Sequence, residues 1–135
     1  MPRIEPAPTP LSEPFWEATR ADTLKAQRCN SCQMFVWYPR DFCPECLGAD
    51  LTWVQLQGTG SIYSFNVMRK PGNPMMGDEV PYVVALVDLD EGIRMTTNIV
   101  GVDPESVSCD QRVVVDWSVE LEDGRKLPTF TPLPT

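Results

Sequence analysis

The sequence has no histidine, and that absence removes Ser-His and Cys-His nucleophilic chemistry together with the commonest general base at neutral pH. It also has no long apolar run: the longest, residues 82–87, is far short of the ~20 residues that cross a bilayer. The opening Met1-Pro2-Arg3-Ile4-Glu5 lacks the basic-then-apolar order of a secretory signal. The expectation is a soluble, cytoplasmic protein with no membrane partner. Positive charge is scarce too. Lys and Arg number 11 against 19 Asp and Glu, a formal charge of -8, and only short pairs such as Arg69-Lys70 and Arg125-Lys126 interrupt the acidic field. Such a field repels phosphate backbones, so no nucleic acid partner is expected. A chain of 135 residues holds one or two small domains.

Proline is plentiful at the start. Pro2, Pro6, Pro8 and Pro10 make residues 1–11 an extended arm. Ser12 offers an N-cap and Pro14 is tolerated in a first turn, which predicts a short helix over residues 13–21 with Phe15, Trp16 and Thr19 on one side. A helix this short needs something to pack on. Strands are predicted at 24–28 and 51–56, flanking a cysteine-bearing unit.

From Gly58 onward the period changes to two. Tyr63, Phe65 and Val67 alternate with Ile62, Ser64 and Asn66 in a strand over 61–68. Residues 71–80 break the pattern with two Pro and two Gly and read as a loop. Residues 82–89 are apolar on both faces, which suits a central strand, and Asp90-Glu91-Gly92 turns it into a partner over 93–100. Asp103-Pro104-Glu105-Ser106 has the composition of one helical turn. Residues 112–122 alternate cleanly, Asp123-Gly124 turns, and a last strand is predicted over 125–130. The fold class is therefore mainly β: arm and helix over 1–23, a ribbon over 24–57, and a five-stranded domain over 58–135. Strand count and order match an OB-fold barrel, with a small open sandwich as the alternative.

The chemistry-bearing motif is Cys29-x2-Cys32-x10-Cys43-x2-Cys46. Each C-x-x-C pair places two thiolates on one metal, and a hairpin joins the pairs into a tetrahedral S₄ site for structural Zn²⁺, with iron also accepted. Four free buried thiols or two disulfides are the non-metal readings. Cys109 stands apart from both pairs and reads as a small buried residue rather than a reactive thiol. Phe15, Trp16, Phe35, Trp37 and Tyr38 crowd the first third of the chain, either as the ribbon's own core or as an exposed partner-binding surface. Met75 and Met76 either line an apolar ligand path or form a loop tip. Gly58-Thr59-Gly60 precedes no helix, so it reads as a bend into the barrel rather than a phosphate loop.

Taken together, these residues resemble the rubredoxin-like zinc ribbon plus OB-fold proteins known as domain of unknown function thirty-five, the acyl-CoA-associated family. The resemblance covers nearly the whole chain from Ser12. It rests on Pro14-Phe15-Trp16, on the two knuckles with Tyr38-Pro39-Arg40 before Cys43-Pro44-Glu45-Cys46, and on Gly58-Thr59-Gly60-Ser61-Ile62-Tyr63-Ser64-Phe65. It continues through Pro81-Tyr82-Val83-Val84-Ala85-Leu86-Val87 and Glu91-Gly92-Ile93-Arg94 to Leu127-Pro128-Thr129-Phe130. Three positions depart from the pattern: Gln33 and Leu47 stand where a glycine often follows each knuckle, and Cys109 stands where glycine is usual.

The resemblance implies a non-catalytic accessory subunit for a thiolase-like enzyme, a thiolase or a retro-aldolase acting on steroid side chains as CoA thioesters. It would complete an acyl-CoA site at a shared interface in a hetero-oligomer. An independent acyl-CoA-binding or carrier protein is the alternative from another class, and an OB-fold reader of nucleic acid a third.

Overall fold

In the computed structural model of the chain, residues 6–70 and 80–133 are described. Pro14 stands in the first turn of helix α1 (Glu13–Arg20), where its missing N–H costs nothing. Ser12 precedes the helix, but its hydroxyl does not cap it. Instead Ser12 Oγ accepts from the Thr9 amide at 2.9 Å, and the Thr9 carbonyl accepts from the amides of Ser12 and Glu13. The cap is lost to a local turn, a competition inherent in short hydroxyl side chains.

The helix buries Trp16, Ala18 and Thr19. Thr19 is wholly enclosed; its hydroxyl donates to the Trp16 carbonyl at 2.6 Å and accepts from the Lys126 amide at 3.2 Å. Arg125, only 4% exposed, stacks its guanidinium 4.9 Å from the Trp16 ring, pairs with Asp123 and donates to the Pro6 carbonyl at 2.7 Å. Arg20 donates to the Asp123 carbonyl and Lys126 pairs with Asp22. Arm and helix thus sit on the connection that precedes the last strand.

The first sheet has the order β2-β1-β3, from β1 (Lys25–Cys29), β2 (Phe35–Val36) and β3 (Leu51–Gln55), all antiparallel. The second comprises β4 (Thr59–Met68), β5 (Tyr82–Leu89), β6 (Arg94–Ile99), β7 (Arg112–Asp116) and β8 (Thr129–Pro132). Its order, β4-β5-β6-β8-β7 with β7 back against β4, closes a barrel in which β6 and β8 run parallel. Closure decides for the OB-fold over the open sandwich. A 3-10 turn at Pro104–Ser106, capped by Asp103 accepting from the Glu105 amide, lies between β6 and β7.

Two glycines make closure possible. A Cβ on Gly60 would stand 2.4 Å from the Asp88 carbonyl oxygen, and one on Gly58, already at φ +81, would strike Val115 at 2.6 Å. The bend expected at Gly58-Thr59-Gly60 is a strand pressed between two neighbours. A bulge between Ile62 and Ser64 then breaks the parity expected of β4. Ile62 is fully buried and Phe65 and Val67 pack on the core, while Tyr63 turns outward at 54% exposure. A bulge adds one residue to one strand, so sequence alternation reads correctly on each side of it but not across it.

The alternation over 112–122 extends beyond the strand it predicted. β7 stops at Asp116, whose carboxylate accepts from the Ser118 amide, and residues 117–128 continue as a loose hairpin with the single bridge Glu120↔Lys126. β8 accordingly begins at Thr129, later than residue 125. Met75 and Met76 lie outside the described residues. Among the described residues, no helix is long and apolar enough to cross a membrane.

The barrel seam carries a bidentate pair. Arg112 donates to both Asp90 oxygens at 2.8 Å, and the Thr59 hydroxyl adds a bond at 2.6 Å, holding the Asp90 carboxyl well below its ordinary range at about 2. A depressed folded-state value stabilises above the unfolded pKa and loses that contribution as pH falls from about 4 towards 2. Urea titrations should show Asp90→Asn costing about 0.5–1 kcal/mol at neutral pH, because the pair is half exposed and screened. That difference should shrink as pH falls through about 2 and vanish only below it.

Candidate metal centre and aromatic face

The two knuckles are built alike. The Gln33 amide donates to the Cys29 carbonyl at 2.9 Å and the Leu47 amide to the Cys43 carbonyl at 2.8 Å. The chain then folds back, so that the amides of Cys29 and Cys43 donate to the carbonyls of Met34 and Gly48. This turn forces a left-handed residue after the second cysteine of each pair: Gln33 at φ 68 and Leu47 at φ 63. A non-glycine residue pays ~1–2 kcal/mol for that conformation.

The sequence-predicted ligands Cys29, Cys32, Cys43 and Cys46 come together, with all four sulfurs within 4.8 Å of one another. The cross-knuckle pairs Cys29–Cys46 and Cys32–Cys43 lie at 3.5 and 3.6 Å. A tetrahedron with metal–sulfur bonds of ~2.3 Å has edges of about 3.8 Å, so the cage fits one ion. Cys29 and Cys43 are fully buried, Cys32 is half-buried and Cys46 is exposed.

The electrostatics also favour a cation. The Cys32 amide and further hydrogen bonds, working against burial, bring the Cys29 thiol down to about 7. At Cys32 the Met34 amide acts in the same direction, but burial and the three other sulfurs outweigh it and push the thiol up to about 12. One sulfur ionises readily, and its charge opposes ionisation of the next. Four thiolates at this spacing need a positive ion among them. All four positions of such an ion are taken by protein, so the centre is structural in kind.

The aromatic residues divide into two groups. Trp16 is 9% exposed and belongs to the helix–barrel contact. Phe15, Phe35 and Trp37 are partly buried against the barrel core, and Tyr38 is 59% exposed at φ 64. Phe15 meets Trp16 edge-on at 5.0 Å and Trp37 at 5.9 Å, and Trp37 meets Tyr38 at 5.8 Å. Phe35 lies under the Arg28 guanidinium at 5.2 Å. Burial thus divides the cluster, with Trp16 in the core, Tyr38 at the surface and Phe15, Phe35 and Trp37 between.

Cys109 corrects its expectation: it is exposed, because the chain turns through Asp110 at φ 67 just before β7. Sequence reasoning also missed Gln27. This residue is 5% exposed, and its side-chain amide donates to the Arg40 carbonyl and accepts from the Arg40 amide, clamping the loop that carries Trp37 and Tyr38. Nothing in its strand marked it. Met34, Phe42 and Leu47, at 50, 50 and 71% exposure, were missed as well and add apolar surface around the knuckles.

Residues 16–52 match the family described as "ChsH2, rubredoxin-like zinc ribbon domain", and residues 53–118 the family described as "ChsH2, C-terminal OB-fold domain". A "Probable enoyl-CoA hydratase alpha subunit" of Thermomonospora curvata is 41% identical over 87% of the chain, which spans 36% of that relative's length. A "DUF35 domain-containing scaffold protein" of Methanothermobacter thermautotrophicus is 34% identical over 75% of the chain and 76% of its own length. Among solved structures, the "Ltp2-ChsH2(DUF35) aldolase" superposes with a TM-score of 0.83 at 38% identity, over 95% of this chain and 98% of that one.

The strained knuckle residues supply a test of this geometry. Leu47→Gly relieves the left-handed strain but frees the unfolded chain, so its melting temperature should match or exceed the parent's by up to ~1 kcal/mol equivalent. Leu47→Val, β-branched at the same φ, should fall below both in the same thermal melts.

Proposed function

The chain belongs to the DUF35 family of ChsH2-type proteins, a rubredoxin-like zinc ribbon joined to an OB-fold, and from that premise we propose that it is a non-catalytic accessory subunit of a thiolase-like acyl-CoA enzyme, an aldolase or thiolase. The observation that carries this reading is the combination of a closed four-sulfur centre with an aromatic face that the ribbon leaves partly uncovered. A centre with no open ligand position does no Lewis-acid chemistry, and the sequence has no histidine to replace it. The aldolase, scaffold and CoA-hydratase names of the relatives support a role inside an acyl-CoA complex.

In this reading Cys29, Cys32, Cys43 and Cys46 hold one Zn²⁺, which supplies the ~10–16 kcal/mol that a structural zinc gives a small ribbon. Phe15, Trp37 and Tyr38, with Phe35 beside them, face the enzyme in a cytoplasmic hetero-oligomer. Trp16 fixes the helix that presents Phe15. The acyl path is assigned to Met75 and Met76, which lie outside the described residues, and steroid side-chain CoA thioesters are the substrates of the complex. The independent carrier is the weaker reading. Among the described residues, the clefts beside Trp37 and beside Tyr82 hold about 220 and 250 Å³, below the ~300–1,000 Å³ of ordinary ligand sites.

Metal analysis of protein purified without added zinc should give about one zinc per chain. Cys29→Ser should lose it and Cys109→Ser should not; less than a third of an equivalent in the parent, with no iron, overturns the metal assignment. Co-expression with the thiolase-like enzyme from the same host should yield a complex. Trp37→Ala and Tyr38→Ala should each weaken it by about 1–2 kcal/mol in a pull-down titration, while the isolated chain turns over no acyl-CoA thioester. Tight binding by both variants, with folding confirmed by circular dichroism, would move the docking surface elsewhere.

A further inference from the structure

The four sulfurs of the cage are not equally sheltered. Cys29 and Cys43 are fully buried and Cys32 is half-buried, but Cys46 is exposed. The difference follows from how each knuckle is held. Cys29 closes β1, whose ladder with β3 runs to the Cys29↔Leu51 pair, so the first knuckle starts from a sheet. The second stands in no strand. Among the described residues its hydrogen bonds run within itself, from the Cys43 amide to the Gly48 carbonyl, the Leu47 amide to the Cys43 carbonyl and the Glu45 amide to Cys43 Sγ. Pro44, Glu45, Cys46 and Leu47 are all exposed. Sulfur therefore ties this knuckle to β1, and one of the sulfurs that does so is open to solvent.

Across the cage, Cys46 Sγ lies 3.5 Å from Cys29 Sγ. A disulfide is ~2.0 Å long, so closing these two sulfurs into one needs a movement of only about 1.5 Å. We propose that Cys46 is an oxidation site for small, uncharged hydroperoxides, and that Cys29 converts the oxidised sulfur into a cross-knuckle disulfide, withdrawing two of the cage's four donors. Charge selects the class of oxidant. Glu45 adjoins the exposed sulfur, and Asp41 and Asp50 stand within five residues of it, all exposed, on a chain of net charge -8. That field opposes anionic oxidants such as glutathione disulfide and leaves a neutral peroxide unopposed.

The chemistry takes two steps. Cys46 Sγ attacks one peroxide oxygen; an S–O bond forms, the O–O bond breaks, and the other oxygen leaves as hydroxide or alkoxide and takes a proton from water. Cys29 Sγ then attacks the Cys46 sulfur, forming the S–S bond and expelling hydroxide. The two sulfurs lose two electrons and the peroxide gains them. Because the bridge runs across the cage, it keeps the knuckles joined without an ion, so a dithiol that reduces it returns four thiolates already in place.

The inference rests on the reading of the cage as a zinc site and is independent of the docking surface. The zinc-loaded chain is prepared in a Cys109→Ser background, which silences the other exposed thiol, and its metal is quantified first. Substoichiometric N-ethylmaleimide, mapped by mass spectrometry, should label Cys46 at least about fivefold ahead of any other cage cysteine. Hydrogen peroxide should then give a Cys29–Cys46 peptide as the first bridge. Zinc captured by a chromogenic chelator should rise with it, at about one ion per bridge. Dithiothreitol followed by zinc should restore both the metal and the original melting curve.

Protein that carries no metal before oxidant is added overturns the zinc reading and this inference together. Zinc that is present but stays bound at a millimolar peroxide dose that fully oxidises Cys109 in the parent chain overturns this inference alone. So does a first bridge within the second knuckle, between Cys32 and Cys43 or between two chains, and so does Cys46 advancing to sulfinic acid with no bridge formed.

Discussion

Sulfur is the core of the ribbon. Its buried cluster is Cys29, Val36 and Cys43, with Cys32 and Leu51 packed against it, and three small side chains bury too little apolar surface to offset the ordering of some thirty residues. The four sulfurs converge at distances where their charges repel unless a cation lies between them. Everything the ribbon presents depends on that centre. Cys29 ends β1 and thereby fixes the register of β2 and β3, and the segment between the knuckles carries Trp37 and Tyr38 outward.

The ribbon is joined to the barrel by polar contacts as much as by apolar ones. The Glu91 carboxylate, in the turn between β5 and β6, accepts from the Gln57 amide at 2.8 Å just where the chain passes from one sheet to the other. Arg125 plays the larger part. Among the described residues, Asp123, the Pro6 carbonyl and the Trp16 ring surround this deeply desolvated guanidinium and help make its burial tolerable. It brings the arm, the helix and the approach to β8 to one point, and the helix seated there forms one wall of the aromatic cleft. The segment between the knuckles builds the opposite wall. The cleft therefore belongs to neither unit alone, and its geometry depends on both the sulfur cage and this buried cation.

Much of this was legible from residue order. Period-two alternation located β4, β6 and β7, and a run apolar on both faces and bounded by turn residues located β5 to the residue at 82–89. The bulge at Tyr63 was not legible, since an inserted residue changes parity without changing composition. Nor was the end of β7 at Asp116, where alternation continues through Glu122 but Asp116 turns its carboxylate onto the Ser118 amide. Ser12 had the composition of a cap, and only the neighbouring Thr9 diverted it.

Two C-x-x-C pairs determine a four-sulfur site by themselves, because two residues between ligands is the span of one tight turn and leaves few other ways to satisfy four thiols. Glycines flanking Thr59 likewise announce a place where backbones approach closely. Which aromatic rings are buried, which cage sulfur is exposed and which glutamine holds the loop were decided only by tertiary structure. Those properties depend on what lies across the fold: Trp16 faces a residue more than a hundred positions away, and Gln27 meets the Arg40 backbone only because β1 lies beside that loop. Local composition encodes turn chemistry and periodicity, whereas burial and hydrogen-bond satisfaction are relations between distant segments and exist only once the chain has folded.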